Sequence, residues 1–229
     1  MNSTSASEDT ENNQGGTHMT NTTKRILVGA VMGLIAACAG AAEYFGIHAV
    51  HWLTVAIVAL MTGEVLRAIY KSKIKNKFIC YLCSVICALP LLAAAYAVGG
   101  RPWIILLLLM TISAADVGAW FFGRLLGGDK MWEKLSAGKT WAGQIAGILC
   151  GTFASVMYGL LGTDTFLPQL LWIGVSISLM SQYGDLTASW IKRKLGVKDF
   201  GNILPGHGGV ADRFDGWIYV LPIVWLVML

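Results

Sequence analysis

The chain has 229 residues, 55% of them hydrophobic and only 13% charged, with a net charge of +4. That balance excludes an ordinary soluble domain, which would expose too much apolar surface, and points to a membrane protein. The basic residues are distributed among the connections between apolar runs, so the charge does not form the patch that a nucleic-acid partner would need.

In chain order, residues 1–23 are rich in Ser, Thr, Asn, Gly and acids, with almost no apolar mass, and read as a disordered polar tail. The Gly-Thr-His-Met at 16–19 is compatible with an extension upstream of a start at Met19. Residues 24–229 read as a single membrane-embedded catalytic domain. Apolar spans are expected at 26–42, 44–63, 78–100, 103–122, 141–162 and 166–184, each near the roughly 20 residues that cross a bilayer. A seventh, 217–229, has 13 residues. As a helix it covers only about 20 Å, so it is expected to begin earlier, near Asp212, with Asp212 and Asp215 on its first turns. The fold class is therefore all-α and polytopic, with about seven transmembrane helices. Cys80, Cys83 and Cys87 share a helical face but lack a fourth ligand, and read as packing residues. His48 and His51 read as interfacial side chains.

Orientation follows from the positive-inside bias. Lys24 and Arg25 precede the first span; Arg67, Lys71, Lys73, Lys75 and Lys77 lie between the second and third. Arg124, Lys130, Lys134 and Lys139 lie between the fourth and fifth, and Lys192, Arg193, Lys194, Lys198 and Arg213 between the sixth and seventh. Of the alternate connections, only 100–102 holds a basic residue, Arg101. The N-terminus is expected in the cytoplasm.

Polar clusters of chemical interest fall on that same side. Asp116 lies inside the fourth span, where a carboxylate is costly and usually faces a cavity or a partner, and Arg124 follows it. Ser136-Ala137-Gly138-Lys139-Thr140-Trp141 places Lys and Thr at a helix N-terminus, a setting that suits phosphate but equally an ordinary basic loop. The segment 185–216 is the richest. Asp185, Ser189 and Lys192 follow at i, i+4 and i+7, lining one face of a helix that leaves the membrane. Asp212 and Asp215, at i and i+3, are expected to share a face of the next helix. Carboxylates beside cations at a membrane surface suggest Mg²⁺ holding a polyphosphate, with Gly208 and Gly209 allowing close backbone approach.

The run from Ser189 through Lys192-Arg193, Lys198-Asp199 and His207-Gly208-Gly209 to Asp212-Arg213-Phe214-Asp215 resembles the signature of phosphatidate cytidylyltransferases (CDP-diacylglycerol synthases) over 27 residues. Residues 116–127 and 136–143 resemble two further segments of that family, although Ala137, Ala142 and Ala188 stand where the family usually has Pro, Glu and Glu. The resemblance implies Mg²⁺-dependent transfer of CMP from CTP to phosphatidate, giving CDP-diacylglycerol and pyrophosphate. It implies metal on Asp185, Asp212 and Asp215. Ser189, Lys192, Arg193, His207 and Arg213 would complete the catalytic set. Asp116, Arg124, Lys139, Thr140, Lys198, Asp199, Gly208 and Gly209 would bind substrate. A monovalent cation sharing the site is left open; a homodimer and a bacterial inner-membrane location with a cytoplasmic site are implied. Two rivals stand beside this reading: a CTP-dependent lipid or polyprenol kinase, and a small membrane transporter built around Asp116.

Overall fold

The structure, a computed structural model, describes residues 21–133, 135–162, 167–205 and 208–228. These form helices α1 (Asn21–Tyr44), α2 (Ala49–Lys71), α3 (Lys77–Gly99) and α4 (Pro102–Leu126), then a hairpin of strands β1 (Lys130–Trp132) and β2 (Ser136–Thr140). Helices α5 (Trp141–Gly162), α6 (Leu167–Leu195) and α7 (Trp217–Met228) complete the order. Four helices, α2 to α5, are long and apolar enough to cross a membrane, while Leu27–Glu43 and Trp217–Leu226 are shorter apolar helices. The outer surface carries large apolar side chains such as Leu34, Phe78, Leu161 and Trp172, as a lipid-facing surface does.

Several elements differ from the sequence expectations. The chain is mostly helical rather than all-α: β1 and β2 pair antiparallel, Lys130 opposite Thr140 and Trp132 opposite Ser136. The break between α4 and this hairpin falls at Gly127 and Gly128, both with positive φ, a backbone state that stops a helix at little cost only for glycine. Helix α1 begins at Asn21, inside the segment read as polar tail. Helix α2 runs eight residues beyond the expected end at 63, so Arg67 and Lys71 are helical. Its buried stripe of Met61, Glu64, Ala68 and Ile69 continues the apolar face past the charged residues. Helix α7 starts at Trp217, not near Asp212. Residues 210–216 are instead successive turns, in which the N–H groups of Arg213 and Phe214 both donate to the Val210 carbonyl, at 3.0 and 3.1 Å. Asp212 and Asp215 therefore do not share a helical face.

Two contacts fix the bundle around the future site. Along α5, a Cβ added at Gly143, Gly147 or Gly151 would lie 2.6, 2.8 or 2.9 Å from the carbonyl oxygens of Ala119, Ala115 and Thr111 on α4. Small residues one turn apart let two backbones touch, which is how helices associate where no hydrophobic effect drives them together. The second contact is a core in which Met61, Ala68 and Ile69 of α2 meet Ala188 and Leu195 of α6 and Phe200, Val210 and Ala211 of the following loop. A larger core of Val58, Leu91, Leu108, Ile177, Trp217 and Leu221 joins α2, α3, α4, α6 and α7.

Substituting Ala at Gly147 is expected to destabilise the detergent-purified protein by about 1–3 kcal/mol, since its methyl group would press on the Ala115 carbonyl oxygen at 2.8 Å as well as on the Gln182 side chain at 2.7 Å. The same change at Gly33 of α1, where nothing lies within 4 Å, is expected to be neutral or to stabilise by up to about 1 kcal/mol. Thermal unfolding of the two variants checks the seam.

Candidate active site

The site forms where α6 leaves the bundle. From Asp185 onward α6 remains one unbroken helix to Leu195, so Asp185, Ser189 and Lys192 do line one face. Asp185 is ion-paired with Lys139 of β2, and the Ser189 hydroxyl donates to Asp185 Oδ1 at 3.4 Å. Lys139 reaches α6 because the next residue, Thr140, anchors the start of α5: its Oγ1 accepts the Gly143 N–H at 3.1 Å, an N-cap interaction. The β2 strand thus ends at a fixed point beside α6. Thr140 serves that cap, and its neighbour supplies the charge.

Lys192 is buried and donates from Nζ to Asp212 Oδ1 at 2.9 Å. The other oxygen of Asp212 accepts the N–H groups of Phe200 and Gly209, at 2.9 and 3.0 Å. Three of its roughly four acceptor positions are thereby taken. Asp212 is the clasp that ties Phe200 and Gly209 back to α6. A side chain at Gly208 would lie 3.3 Å from that carboxylate and 3.6 Å from Asp199, and the backbone there has φ +86°, so glycine is required twice over.

Asp215 is brought to α6 by another close approach. A Cβ at Gly184 would lie 2.5 Å from the Asp215 carbonyl oxygen and 2.9 Å from the Gly216 Cα. The turn before α7 therefore rests on the helix one residue from Asp185. Burial, then the charges of Asp185 and Asp116, push the Asp215 carboxyl from 3.8 up to about 7, with Lys192 and Lys139 opposing. Asp116, exposed on the surface of α4, feels Asp185 and Lys139 as well. Carboxylates from three segments thus converge on two lysines.

Among the described residues, no three His, Cys, Asp or Glu side chains form a ready-made metal cage. Mg²⁺ seldom uses one; it takes one or two carboxylates and fills the rest with water and phosphate oxygens. Asp185 and Asp215 fit that need, because they are the acids whose mutual repulsion a cation would relieve. Asp212, tied by its lysine and two amides, fits less well.

Of the other expected site residues, those described make contacts of their own or are exposed. Arg193 is exposed and donates to the Val197 carbonyl at 3.2 Å, closing its own helix end. Arg124 stacks over the Trp120 ring at 4.6 Å. Lys198 is exposed on the loop and Arg213 lies in the turns before α7. His207 falls outside the described residues.

One residue had escaped notice. Glu64 of α2 is 4% exposed, and its Oε2 accepts the Ala211 N–H at 2.7 Å, 147 residues away in sequence. The available signal was the rule that flags Asp116, an acid within an apolar run. Ending the second span at residue 63 hid it.

Residues 17–229 match the cytidylyltransferase family. Phosphatidate cytidylyltransferases of Staphylococcus saprophyticus and Staphylococcus haemolyticus are each 40% identical over 126 residues, 55% of this chain and 48% of theirs. One from Staphylococcus aureus is 38% identical over the same share of each. The chain spans about half the length of the curated relatives it matches.

The raised proton affinity of Asp215 carries a pH consequence. The folded protein holds this proton more tightly than the unfolded chain, so stability falls as pH rises from about 4 to about 7 and then levels off. In EDTA at pH 8, Asp215→Asn is expected to raise the unfolding temperature by a few degrees; below pH 4 it should change little. Thermal scans of both proteins across pH check the sign.

Proposed function

Because the chain belongs to the cytidylyltransferase family, we propose that it transfers CMP from CTP to phosphatidate, giving CDP-diacylglycerol and pyrophosphate. The observation that carries this reading is the Asp185–Lys139 ion pair, which acts electrostatically on Asp116 and Asp215, beside the Lys192–Asp212 pair on the same face of α6. Such a mixed acidic and basic centre suits a polyphosphate and its counter-cation, whereas a transporter would have no use for the loop folded over it. A lipid co-substrate is supported by an apolar groove of about 700 Å³ that runs from α1 and α2 to Leu204, Val210 and Phe214 of that loop.

The chemistry needs little acid–base help. A phosphatidate phosphate is anionic near neutral pH, so its oxygen attacks the α-phosphorus of CTP directly while the bond to pyrophosphate breaks. The protein's task is alignment and charge neutralisation. Mg²⁺ held by Asp185 and Asp215 would supply the neutralisation at the triphosphate. Lys139, already at Asp185, is placed to trade its carboxylate partner for a phosphate oxygen, and Ser189 to donate a hydrogen bond. Lys192 keeps Asp212 and the loop in place. Acyl chains remain in the groove and the bilayer.

We further propose seven membrane-associated helices with the N-terminus and the site in the cytoplasm, on the strength of the Lys and Arg distribution. In a cysteine-free background, Cys at Arg101 should react with an impermeant thiol reagent from outside intact cells and Cys at Lys73 should not; the reverse pattern overturns the orientation.

The reaction itself is tested with labelled CTP, Mg²⁺ and phosphatidate. Label on the α-phosphate should enter lipid and label on the γ-phosphate should leave in pyrophosphate; γ-label in lipid would establish a kinase instead. Asp185→Asn should cut turnover by at least about 100-fold, the scale for losing a charge essential to the transition state, with folded protein retained.

A further inference from the structure

We propose that Glu64, on a helix carrying none of the sequence motifs, is a positioning residue for the site: it holds Gly201, Gly209 and Ala211 against α2 and so sets the Asp212–Lys192 pair. A carboxylate buried within an apolar span is costly unless partnered. Here the partner is the loop's own backbone. Oε2 accepts the Ala211 N–H at 2.7 Å. Gly201 and Gly209 are packed so closely on the carboxylate that a Cβ at either would overlap its oxygens. The Glu64 grip therefore touches the loop at three points, two of them positions where a methyl group would have to push the carboxylate aside.

Gly209 links this grip to the chemistry. Its Cα side rests on Glu64 while its N–H donates to Asp212. Asp212 is next in sequence to Ala211, whose N–H Glu64 holds. The two acids thus clamp the same strip of backbone from opposite sides, Glu64 from α2 and Asp212 toward α6. Moving Glu64 must move the Asp212 carboxylate, hence Lys192, whose charge acts on Asp215. The remaining oxygen, Oε1, is buried with no hydrogen-bond partner among the described residues. One acceptor therefore suffices for the grip, and an amide of the same shape can replace the acid.

The kinetic part of this proposal rests on the cytidylyltransferase reading; the structural part does not, and the test separates them. Hydrogen exchange of peptides covering 199–216 is measured on full-length protein in detergent, alongside kcat and KM for CTP. Glu64→Ala is expected to speed exchange in that segment by about ten-fold or more, the scale of one lost hydrogen bond to a charged group, with the α4–α5 segments unchanged. In that variant kcat should fall by a similar factor while KM for CTP moves far less. Glu64→Gln should keep both exchange and turnover near those of the parent. Gly209→Ala should behave like Glu64→Ala, and adding Glu64→Asp, which withdraws the carboxylate by one methylene, should restore part of the loss. Unchanged loop exchange in Glu64→Ala overturns the proposal, whatever the activity. So does an unrescued Gly209→Ala combined with a Glu64→Gln that exchanges fast, a pair of measurements that remains decisive if the Ala variant fails to fold. Loosened exchange in a protein that never makes CDP-lipid would uphold the grip and remove the functional reading alone.

Discussion

The buried pair of Lys192 and Asp212 is the interaction around which the polar end of this molecule is organised. Lys192 comes from the end of α6 and Asp212 from a loop containing four glycines between Gly201 and Gly209, and the pair ties them together beside the apolar core that Ala188, Leu195, Phe200 and Val210 share. Removing one member of such a pair typically costs about 3–5 kcal/mol, because the other is left charged and buried. The two amides from Phe200 and Gly209 bond the second oxygen, so the same carboxylate that neutralises the lysine also holds the loop. The positions of Phe200 and Gly209 depend on this clasp, while Asp215 is seated beside it by the close approach at Gly184.

Much of the helical plan is legible in the sequence, because apolar run length is a direct physical requirement. The third and fourth spans coincide with α3 and α4 to within a few residues. The face shared by Asp185, Ser189 and Lys192 is equally legible, since helical periodicity continues beyond the membrane. What could not be read is what happens between helices. Asp212 and Asp215 have helical spacing, yet tertiary bonds from Asp212 and the rest of residues 210–216 on Ser181 and Gly184 hold that stretch in turns. The hairpin was hidden because Ser136–Thr140 has too few β-branched residues to declare a strand. Glu64 was hidden because its partner is a backbone amide, and every residue except proline offers one.

The acids therefore divide by environment rather than by motif. Asp212 and Glu64 are held by lysine and amide donors and work on the backbone. Asp185 and Asp215 repel one another, and that repulsion is what a bound cation would relieve. Two residues three apart in one motif, Asp212 and Asp215, so fall into different classes, a division that no count of conserved-looking letters would draw.

The contact between Glu64 and Ala211 also bears on how the molecule comes to exist. Helix α2 is synthesised, and can enter the bilayer, 147 residues before the amide that will satisfy its carboxylate leaves the ribosome. Until then the acid must keep company with water or lipid headgroups, which favours an α2 that rides toward the interface or stays in the shelter of the insertion machinery. Assembly of the polar end is accordingly a late event, completed after the bundle is in place. The final seating of α2 and the closing of the loop become one step in biogenesis rather than two.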